Sequence, residues 1–462
     1  MAQNQSNRAR RCASGIVAVL LLGFGAAAAN AFAPGAAGVG DPFFPKSGNG
    51  GYDVGHYALD FDYAPQTGKL DATALITATA LQELSRFDLD FRGPRVRAVN
   101  VDGQPGGFKR AGQELIITPT APILQGAQFT VEVAYRGRPK PLVDADGSKE
   151  GWVPTDDGAF VVGEPHGSPT WFPCNDHPTD KATFEFRVTV PHGTEAVANG
   201  ALLGRRRHGS RVTWSYAADQ PMASYLATAA IGNFRLQRSS FDGIESLVAL
   251  DPREAKASKR PLSKIKRMTR FFGTIFGPYP FGQTGAIVDR APDVGYALET
   301  QTRPIYDQTP DEVTVAHELA HQWFGDSVSV QRWKDIWLNE GFATWAEWRW
   351  AEEAGGDTTA QVFRKLERTA ASRTELWDPP PGALTGPAQL FDSSVYVRGG
   401  MALEALRQRV GDAAFFATLR AWTSEHAYGN ATIEQFIALA EAQSGEDLGA
   451  LFQKYLYQSG KP

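Results

Sequence analysis

The apolar residues of this chain repeat with two different periods, and the change of period constrains the fold more than any other feature. Up to residue 245, apolar and polar residues alternate in short stretches, such as 56–63 and 129–135. Turn signals, including Asp102-Gly103, separate these stretches. Beyond residue 261 the apolar residues recur mainly at helical spacing, which predicts helices that include residues 358–375, 394–409 and 411–424. The pattern predicts an N-terminal antiparallel β-sandwich or saddle-like β domain followed by a mainly helical domain.

The amino terminus has the pattern of a targeting segment. Arg8, Arg10 and Arg11 precede an apolar run, and the small residues Ala31 and Ala33 suit cleavage by a signal peptidase. The run is too short to predict a membrane span. We therefore expect a secreted protein, released to the medium or held in the cell envelope after cleavage.

Four segments follow from these patterns. Residues 1–33 are the predicted signal peptide, and residues 34–51, which are rich in glycine and proline, predict a disordered leader. Residues 52–245 form the predicted β domain, and residues 246–462 form the predicted helical domain. A chain of 462 residues is long enough for such a division.

Charge and cysteine content exclude some classes of protein. The formal net charge is −5, and there is no basic patch of the kind that nucleic acid requires. Cys12 lies in the predicted signal peptide, so only Cys174 remains in the mature chain, where its expected role is packing. We expect a monomer without a membrane span in the mature chain, and nucleic acid is not an expected partner.

The most specific chemical signal is His317-Glu318-Leu319-Ala320-His321. On a helix, residues i and i+4 are separated by about 40° of rotation and about 6 Å of rise, so both histidines can bind one metal ion. Glu318 lies about 100° around the helix from His317 and flanks that face. The alternative interpretation is an amphipathic core helix whose histidines are structural. However, uncompensated polar groups on so apolar a helix would be costly.

A second predicted helix, over residues 335–354, supplies two further carboxylates. Glu340 is the candidate third ligand, and three protein ligands leave the fourth position of a tetrahedral zinc ion to water, as in catalytic zinc sites. Glu347, on the same face, is placed to accept the second ring N–H of a zinc-bound histidine. Its alternative interpretation is a solvated charge on the helix surface. We expect one zinc ion per chain.

With these residues in view, the chain resembles the aminopeptidase N family of gluzincin zinc metallopeptidases. The resemblance covers about residues 52 to 462 and is carried by several motifs besides the zinc motif. These motifs are W-L-N-E-G-F-A at 337–343, S-V-Y-V-R-G at 394–399, F-G-P-Y-P-F at 276–281, and F-P-C-N-D-H-P at 172–178 with K-A-T-F at 181–184.

The resemblance implies a fold and a mechanism. Residues 246–462 would form a thermolysin-like catalytic domain, and the chain ends too soon after Tyr396 for the helical C-terminal domain of larger relatives. Glu318 would act as general base, and Tyr396 would donate to the tetrahedral intermediate. Glu164 and Glu299 would bind the free amine of a peptide substrate, which makes the expected activity that of an aminopeptidase.

One motif departs from the family pattern. Where the family has G-x-M-E-N, this chain has Gly295-Tyr296-Ala297-Leu298-Glu299-Thr300. Glu299 is retained, and the backbone of the four residues before it is expected to line the peptide like an added strand. The shape of the first specificity pocket does not follow from this sequence.

Three other functions fit part of the pattern. A thermolysin-like endopeptidase would use the same zinc ligands. An open cleft and the altered Leu298 and Thr300 favour it, whereas the paired Glu164 and Glu299 argue against it. An epoxide hydrolase, known in one branch of the family, would share the zinc ion and Tyr396. A non-catalytic zinc-binding module would have no need of Glu318 and Tyr396 together.

Overall fold

The computed structural model describes residues 32–462, which form one compact unit. All but the last two residues of the predicted signal peptide therefore lie outside the described residues. None of the helices found among residues 32–462 combines the length and hydrophobicity that a membrane span requires.

The first half of the described chain is β-rich, as the alternating pattern predicts. Its strands are β1 (Ala33–Pro34), β2 (Tyr52–Ala64), β3 (Lys69–Ala80), β4 (Leu84–Asp90), β5 (Arg95–Val101), β6 (Gln104–Pro105), β7 (Gly107–Ala111), β8 (Glu114–Thr118), β9 (Gln128–Gly137), β10 (Leu142–Val143), β11 (Lys149–Pro154), β12 (Ala159–Val162), β13 (Lys181–Pro191), β14 (Glu195–Ala198), β15 (Ala201–His208), β16 (Arg211–Ala223) and β17 (Ala229–Gly232).

The main sheet has eight strands in the order β15-β16-β13-β2-β3-β9-β5-β6. In β2, Tyr57, Leu59 and Phe61 are buried while Asp60 and Asp62 are exposed, so this strand presents one apolar face to the core. Most neighbouring strands are antiparallel, as expected, but β13 and β2 are parallel. Alternation reports which face of a strand is buried and not the direction of its neighbour, so the sequence could not reveal this pair.

Two smaller sheets complete this half, in the orders β1-β4-β8-β7 and β10-β11-β12-β17-β14. The second of them includes β12, which directly precedes the segment that carries Glu164. It therefore connects the β-rich half to the functional site.

Residues 34–51 are ordered in the structure, which corrects the expectation of a disordered leader. The buried Asp41 carboxylate accepts hydrogen bonds from the backbone amides of Phe44 at 3.0 Å and Trp333 at 2.9 Å. The Asn49 side chain donates to Asp90 at 3.1 Å. Trp333 belongs to the helical half and Asp90 to the β-rich half, so the segment joins the two. Glycine and proline content does not reveal such long-range hydrogen bonds.

The second half is mainly helical. Its helices are α1 (Ala255–Leu262), α2 (Ile265–Phe276), α3 (Glu312–Ala320), α4 (Trp337–Glu353), α5 (Thr359–Glu367), α6 (Ser393–Glu425), α7 (Ile433–Ser444) and α8 (Gly449–Phe452). Its strands are β18 (Arg235–Phe241), β19 (Ile244–Leu250), β20 (Gln283–Val288), β21 (Ala297–Leu298), β22 (Ile305–Tyr306), β23 (Ser329–Val330) and β24 (Asn430–Ala431).

A five-stranded sheet in the order β18-β19-β20-β22-β21 leads into these helices. The expected domain division between residues 245 and 246 therefore falls inside β19, because the alternating pattern does not show which sheet a strand joins. β21 lies at the edge of this sheet, so one side of its backbone has no neighbouring strand in it.

The helices differ from the sequence expectations mainly at their ends. Predicted helices over 394–409 and 411–424 form α6, which is interrupted at Gly411, where φ is 77°. The helix predicted over 358–375 ends earlier, at Glu367. α3 ends at Ala320, because the chain turns directly after the second histidine of the zinc motif.

Candidate active site

α3 positions the two histidines of the zinc motif. The Asp311 side chain caps its first turn by accepting from the Thr314 amide at 2.8 Å. His321 directly follows the last helical residue, yet its amide donates to the His317 carbonyl at 3.2 Å and its φ and ψ are −56° and −24°. The helical i, i+4 relation is therefore preserved. The two imidazole rings lie side by side, with centroids 4.7 Å apart.

α4 brings Glu340 to the same point. Its Oε2 atom lies 3.2 Å from His317 Nε2 and 3.4 Å from His321 Nε2. Ligands at about 2.0–2.1 Å from a tetrahedral zinc ion stand about 3.3–3.4 Å from each other. The three donor atoms therefore fit a zinc ion by type and by spacing, and His317, His321 and Glu340 are named here the metal triad.

The Nδ1 atom of each imidazole lies within hydrogen-bond distance of an acceptor. His317 Nδ1 lies 2.6 Å from Glu347 Oε1, and His321 Nδ1 lies 2.9 Å from the Phe324 carbonyl oxygen. Both acceptors select the ring form with the proton on Nδ1, which leaves Nε2 free to bind metal. The structure thus places the Glu347 carboxylate within hydrogen-bond distance of a ring N–H of His317.

Glu318 lines the same cavity without belonging to the metal triad. The residue is buried, and burial raises the pKa of its carboxyl to about 7, although His317 and His321 act in the opposite direction. A carboxyl group with a pKa near neutrality can both accept and return a proton.

Tyr396 reaches the site from α6. Its ring stacks against the His317 ring, with centroids 5.9 Å apart and an interplanar angle of 24°. Burial, and next the Glu340 carboxylate, raise the pKa of the phenol well above its usual range. The phenol therefore keeps its proton and is available as a hydrogen-bond donor.

Glu164 and Glu299 line the cavity from opposite halves of the chain. Both side chains are buried, and each has one oxygen without a hydrogen-bond partner among the described residues. Carboxylate oxygens of Glu164, Glu299 and Glu340 lie within 4.8 Å of one another. Burial, and next Glu299, raise the pKa of Glu164 well above its usual range. Buried carboxylates so close together favour a cationic ligand.

Gln322 holds Glu299 in place. Its side-chain amide donates to the Glu299 carbonyl at 3.1 Å and accepts from the Thr302 amide at 2.7 Å. Since Gln322 directly follows His321, the segment that carries Glu299 is tied to the turn that carries a metal ligand. This contact fixes the distance between the metal triad and the candidate amine site.

The four residues before Glu299 have different positions. Tyr296 and Ala297 line the cavity, whereas the side chain of Leu298 is buried in the core. The Gly295 amide donates to the Asp307 carboxylate at 2.9 Å, and Gly295 is not among the residues that line the cavity. Only the middle of the expected strand-like segment therefore faces the cavity directly.

Of the three departures from the family motif, Tyr296 lines the cavity, whereas Leu298 and Thr300 are accommodated outside it. Leu298 pairs with Ile305 in the sheet. The Thr300 hydroxyl is buried and donates to the Arg303 carbonyl at 2.6 Å. Neither side chain lines the cavity, so these substitutions leave Glu299 facing it.

The cavity, of about 270 Å³, also contains residues that the sequence did not indicate. Thr314 lies three residues before His317 on α3, so helical spacing could have placed it on the same face. Phe391 lies shortly before α6, in the approach to Tyr396. Asp146 and Ser148 come from the loop between β10 and β11, which no local signal connects with the zinc motif.

A second cluster combines a histidine with two carboxylates. His166 Nδ1 lies 2.5 Å from Glu150 Oε1, and His166 Nε2 lies 3.7 Å from Asp144 Oδ1. The His166 amide also donates to Glu150 Oε2 at 3.0 Å. The sequence suggested no such partners for His166, because both carboxylates lie in another part of the chain. These three residues are named here the loop triad.

Comparisons with known proteins agree with this arrangement. Residues 54–226 match the peptidase M1 N-terminal domain, and residues 294–455 match the peptidase family M1 domain. The structure of an M1 zinc metallopeptidase from Deinococcus radiodurans is 31% identical, with a TM-score of 0.84 over 92% of this chain and 98% of that chain. A mutant of the M1 zinc metallopeptidase from the same organism, bound to a Tyr-Ser-Ala substrate, is 31% identical, with a TM-score of 0.85 over 92% and 99%.

Curated relatives are longer than the region they share with this chain. Aminopeptidase M1 of Arabidopsis thaliana is 30% identical over 326 residues, which are 65% of this chain and 36% of the relative. The chain thus matches little more than a third of that relative's length.

A β-rich half followed by a helical half that carries two histidines and a glutamate defines a gluzincin-type metallopeptidase scaffold. The chain belongs to peptidase family M1, as the resemblance of its motifs predicted.

Proposed function

We propose that this protein is a secreted zinc-dependent aminopeptidase that hydrolyses the N-terminal peptide bond of peptides. The observation that carries the proposal is the pair of buried carboxylates, Glu164 and Glu299, whose oxygens lie within 4.8 Å of an oxygen of the metal ligand Glu340. A free α-ammonium group is a cation of the right size to bind there. Secretion is supported by the signal-peptide pattern of the first 33 residues.

The two carboxylates also explain why one residue would be removed at a time. A substrate whose ammonium group is held by Glu164 and Glu299 has its first carbonyl group near the metal triad, because the two sites share one cavity. The metal triad would hold a zinc ion, whose chemistry when bound would be to lower the pKa of a bound water and to polarise the scissile carbonyl group.

The chain's own residues supply the proton transfers. Glu318 accepts a proton from the attacking water and passes it to the leaving amine, a role that suits a pKa of about 7. The Tyr396 phenol donates a hydrogen bond to the oxyanion, a contact typically worth about 3 kcal/mol in the transition state.

The edge strand β21 holds the rest of the peptide. Ala297 lies in this strand and lines the cavity, and the strand has no neighbour on its outer side within the sheet. A peptide can therefore add to this edge in an extended conformation. Backbone hydrogen bonds hold the peptide whatever its sequence, so they contribute affinity rather than selectivity.

The names of similar proteins support peptide hydrolysis as the reaction. The Deinococcus radiodurans mutant binds the tripeptide Tyr-Ser-Ala as a substrate, and the Arabidopsis thaliana relative is named an aminopeptidase. The endopeptidase alternative would use the same zinc ligands. The departures at Leu298 and Thr300 do not favour it, because both side chains lie outside the cavity.

The experiment that tests the proposal compares free and N-acetylated substrates. An ammonium–carboxylate contact contributes roughly 1.5–3 kcal/mol, so acetylation should lower kcat/KM by at least about tenfold. Glu299→Gln, which removes the charge and preserves the size, should lower kcat/KM for the free substrate and barely change residual cleavage of the acetylated one. Glu353→Gln, a change of an exposed carboxylate on α4, is the control.

Internal cleavage of N-acetylated peptides as fast as that of free ones would overturn the aminopeptidase assignment in favour of an endopeptidase. Absence of peptide hydrolysis in the zinc-loaded protein would favour a non-catalytic zinc-binding module. Hydrolysis of an epoxide without peptide hydrolysis would favour an epoxide hydrolase.

A further inference from the structure

Asp146 lines the catalytic cavity, but neither zinc binding nor the proposed amine site uses it. It lies in the loop between β10 and β11, where its Oδ1 atom accepts from the Ser148 amide at 2.8 Å and the Ser148 hydroxyl at 2.7 Å. These bonds hold the carboxylate in a defined position. Among residues 32–462, no hydrogen bond reaches its Oδ2 atom, and no cationic side chain lies within ion-pair distance of it.

Two aromatic side chains share the cavity with Asp146. Tyr296 and Phe391 both line it, and the Tyr296 hydroxyl donates to the Lys149 carbonyl at 2.9 Å. This hydrogen bond ties the loop that carries Asp146 to the segment that leads into β21. Aromatic side chains and a carboxylate that line one cavity suit a ligand side chain with a long apolar stem and a cationic head.

The charge of the cavity points to the same class of ligand. Its lining contains five carboxylates and no lysine or arginine: Asp146, Glu164, Glu299, Glu318 and Glu340. The metal ion, the substrate ammonium group and the role of general base account for Glu340, Glu164, Glu299 and Glu318, and they leave Asp146 without a partner of opposite charge in the cavity. Lys149, the nearest lysine in sequence, pairs instead with Asp293 at 3.1 Å.

We propose that the enzyme prefers substrates whose first residue is arginine or lysine, with the cationic head group bound by Asp146 and the stem lying against Tyr296 and Phe391. The inference rests on the proposed aminopeptidase function and names its substrate class. Asp146 is then a specificity-determining residue that contacts the substrate side chain and takes no part in the bond-breaking steps.

The test measures kcat/KM for aminoacyl-coumarin amides of arginine, citrulline, lysine and leucine. Citrulline has nearly the shape of arginine without its charge, so the ratio of the two isolates the charge of the side chain. At low salt we expect arginine to exceed citrulline by about fivefold or more, the upper range for a partly exposed ion pair, and the ratio to fall as salt is added.

Asp146→Asn should reduce the arginine-to-citrulline ratio to near one and leave the leucine amide within about twofold of wild type. Asp293→Asn is the matched control, because it removes a carboxylate paired with Lys149 that does not line the cavity. The control should retain the preference.

The remaining outcomes separate this inference from the proposed function. Equal rates for arginine and citrulline amides in the wild type would overturn the inference, and cleavage of the leucine amide would leave the aminopeptidase function intact. A preference that persists in Asp146→Asn, or disappears equally in Asp293→Asn, would overturn the role of Asp146. Failure to cleave any of the four amides would overturn the proposed function and this inference together.

Discussion

The metal triad and the loop triad contain the same kinds of side chains, yet their geometry differs. In the metal triad, Glu340 stands 3.2 and 3.4 Å from two imidazole nitrogens, with space for an ion between the three donor atoms. In the loop triad, His166 Nδ1 lies only 2.5 Å from Glu150 and its other nitrogen lies 3.7 Å from Asp144. A separation of 2.5 Å is too short for two ligands of one tetrahedral zinc ion.

The pKa values of Glu150 and His166 also distinguish the loop triad from a metal site. Burial raises the pKa of Glu150 well above its usual range and lowers the pKa of His166 to about 4. A neutral carboxyl group and a neutral imidazole carry no charge, so this pair needs no metal ion to balance it in a buried position. The comparison teaches that the spacing of the donor atoms distinguishes the metal triad from another cluster of histidine and carboxylate side chains.

The largest expected difference between the clusters is in metal content. His321→Ala should abolish stoichiometric zinc and peptide hydrolysis, because it removes one of three ligands, whereas His166→Ala should retain one zinc ion per chain. Mass-spectrometric metal analysis of both purified variants measures this. Treatment of the wild type with a chelator should also abolish activity, and added zinc should restore it. Two metal ions in the wild type, with one lost in His166→Ala, would show that the loop triad also binds a metal ion.

Within the site around the metal triad, Glu318→Gln should separate metal binding from catalysis. The variant keeps all three ligands and loses the proton acceptor, so zinc content should be unchanged and kcat should fall by about 10²–10⁴-fold. Metal analysis and steady-state kinetics on a free aminoacyl substrate check the two parts. Glu312→Gln, on the same helix but outside the cavity, is the control. A variant that lost its zinc would show that Glu318 supports the metal site instead.

Tyr396→Phe should have a smaller effect than the change at Glu318. Removing the hydroxyl deletes one donor to the oxyanion, and we expect kcat to fall by about 10²–10³-fold with little change in KM. Tyr428→Phe removes a hydroxyl that donates to the Pro280 carbonyl, away from the cavity, and serves as control. An increase in KM at unchanged kcat would assign Tyr396 to ground-state binding.

The smallest effect is expected at the outer contact of the metal triad. Glu347→Gln keeps the ligands and weakens the 2.6 Å contact to His317 Nδ1, so zinc affinity should fall by about 10–100-fold. Competition with a chelator of known affinity measures the change. Glu353→Gln, at the end of the same helix, should leave the affinity unaltered. Equal affinities in the two variants would mean that the contact has no influence on the metal.

The sequence predicted those parts of the site that depend on local periodicity or on family motifs. The division into a β-rich half and a helical half is confirmed, and so are the family and the zinc ion that its members bind. The parallel pairing of β13 with β2 and the ordering of residues 34–51 were not predicted. Both depend on hydrogen bonds between segments that are distant in the chain.

The partners of His166 also depend on contacts between segments that are separate in the chain. Nothing in the sequence connects His166 with Glu150 and Asp144, which the structure brings to it from the β10–β11 region. The sequence likewise does not connect Phe391 or Asp146 with the zinc motif. Hydrophobic alternation describes one strand at a time and says nothing about the loops at its ends.

By itself, the sequence determined that His317 and His321 share one face, because helix geometry relates residues four positions apart without reference to the rest of the chain. Only the tertiary structure decided that Glu164, Glu299 and Glu340 meet with their oxygens within 4.8 Å. The period of an element specifies the direction of a side chain relative to its own backbone. The distance between two elements is set by packing and by long-range hydrogen bonds, such as that from Gln322 to Glu299.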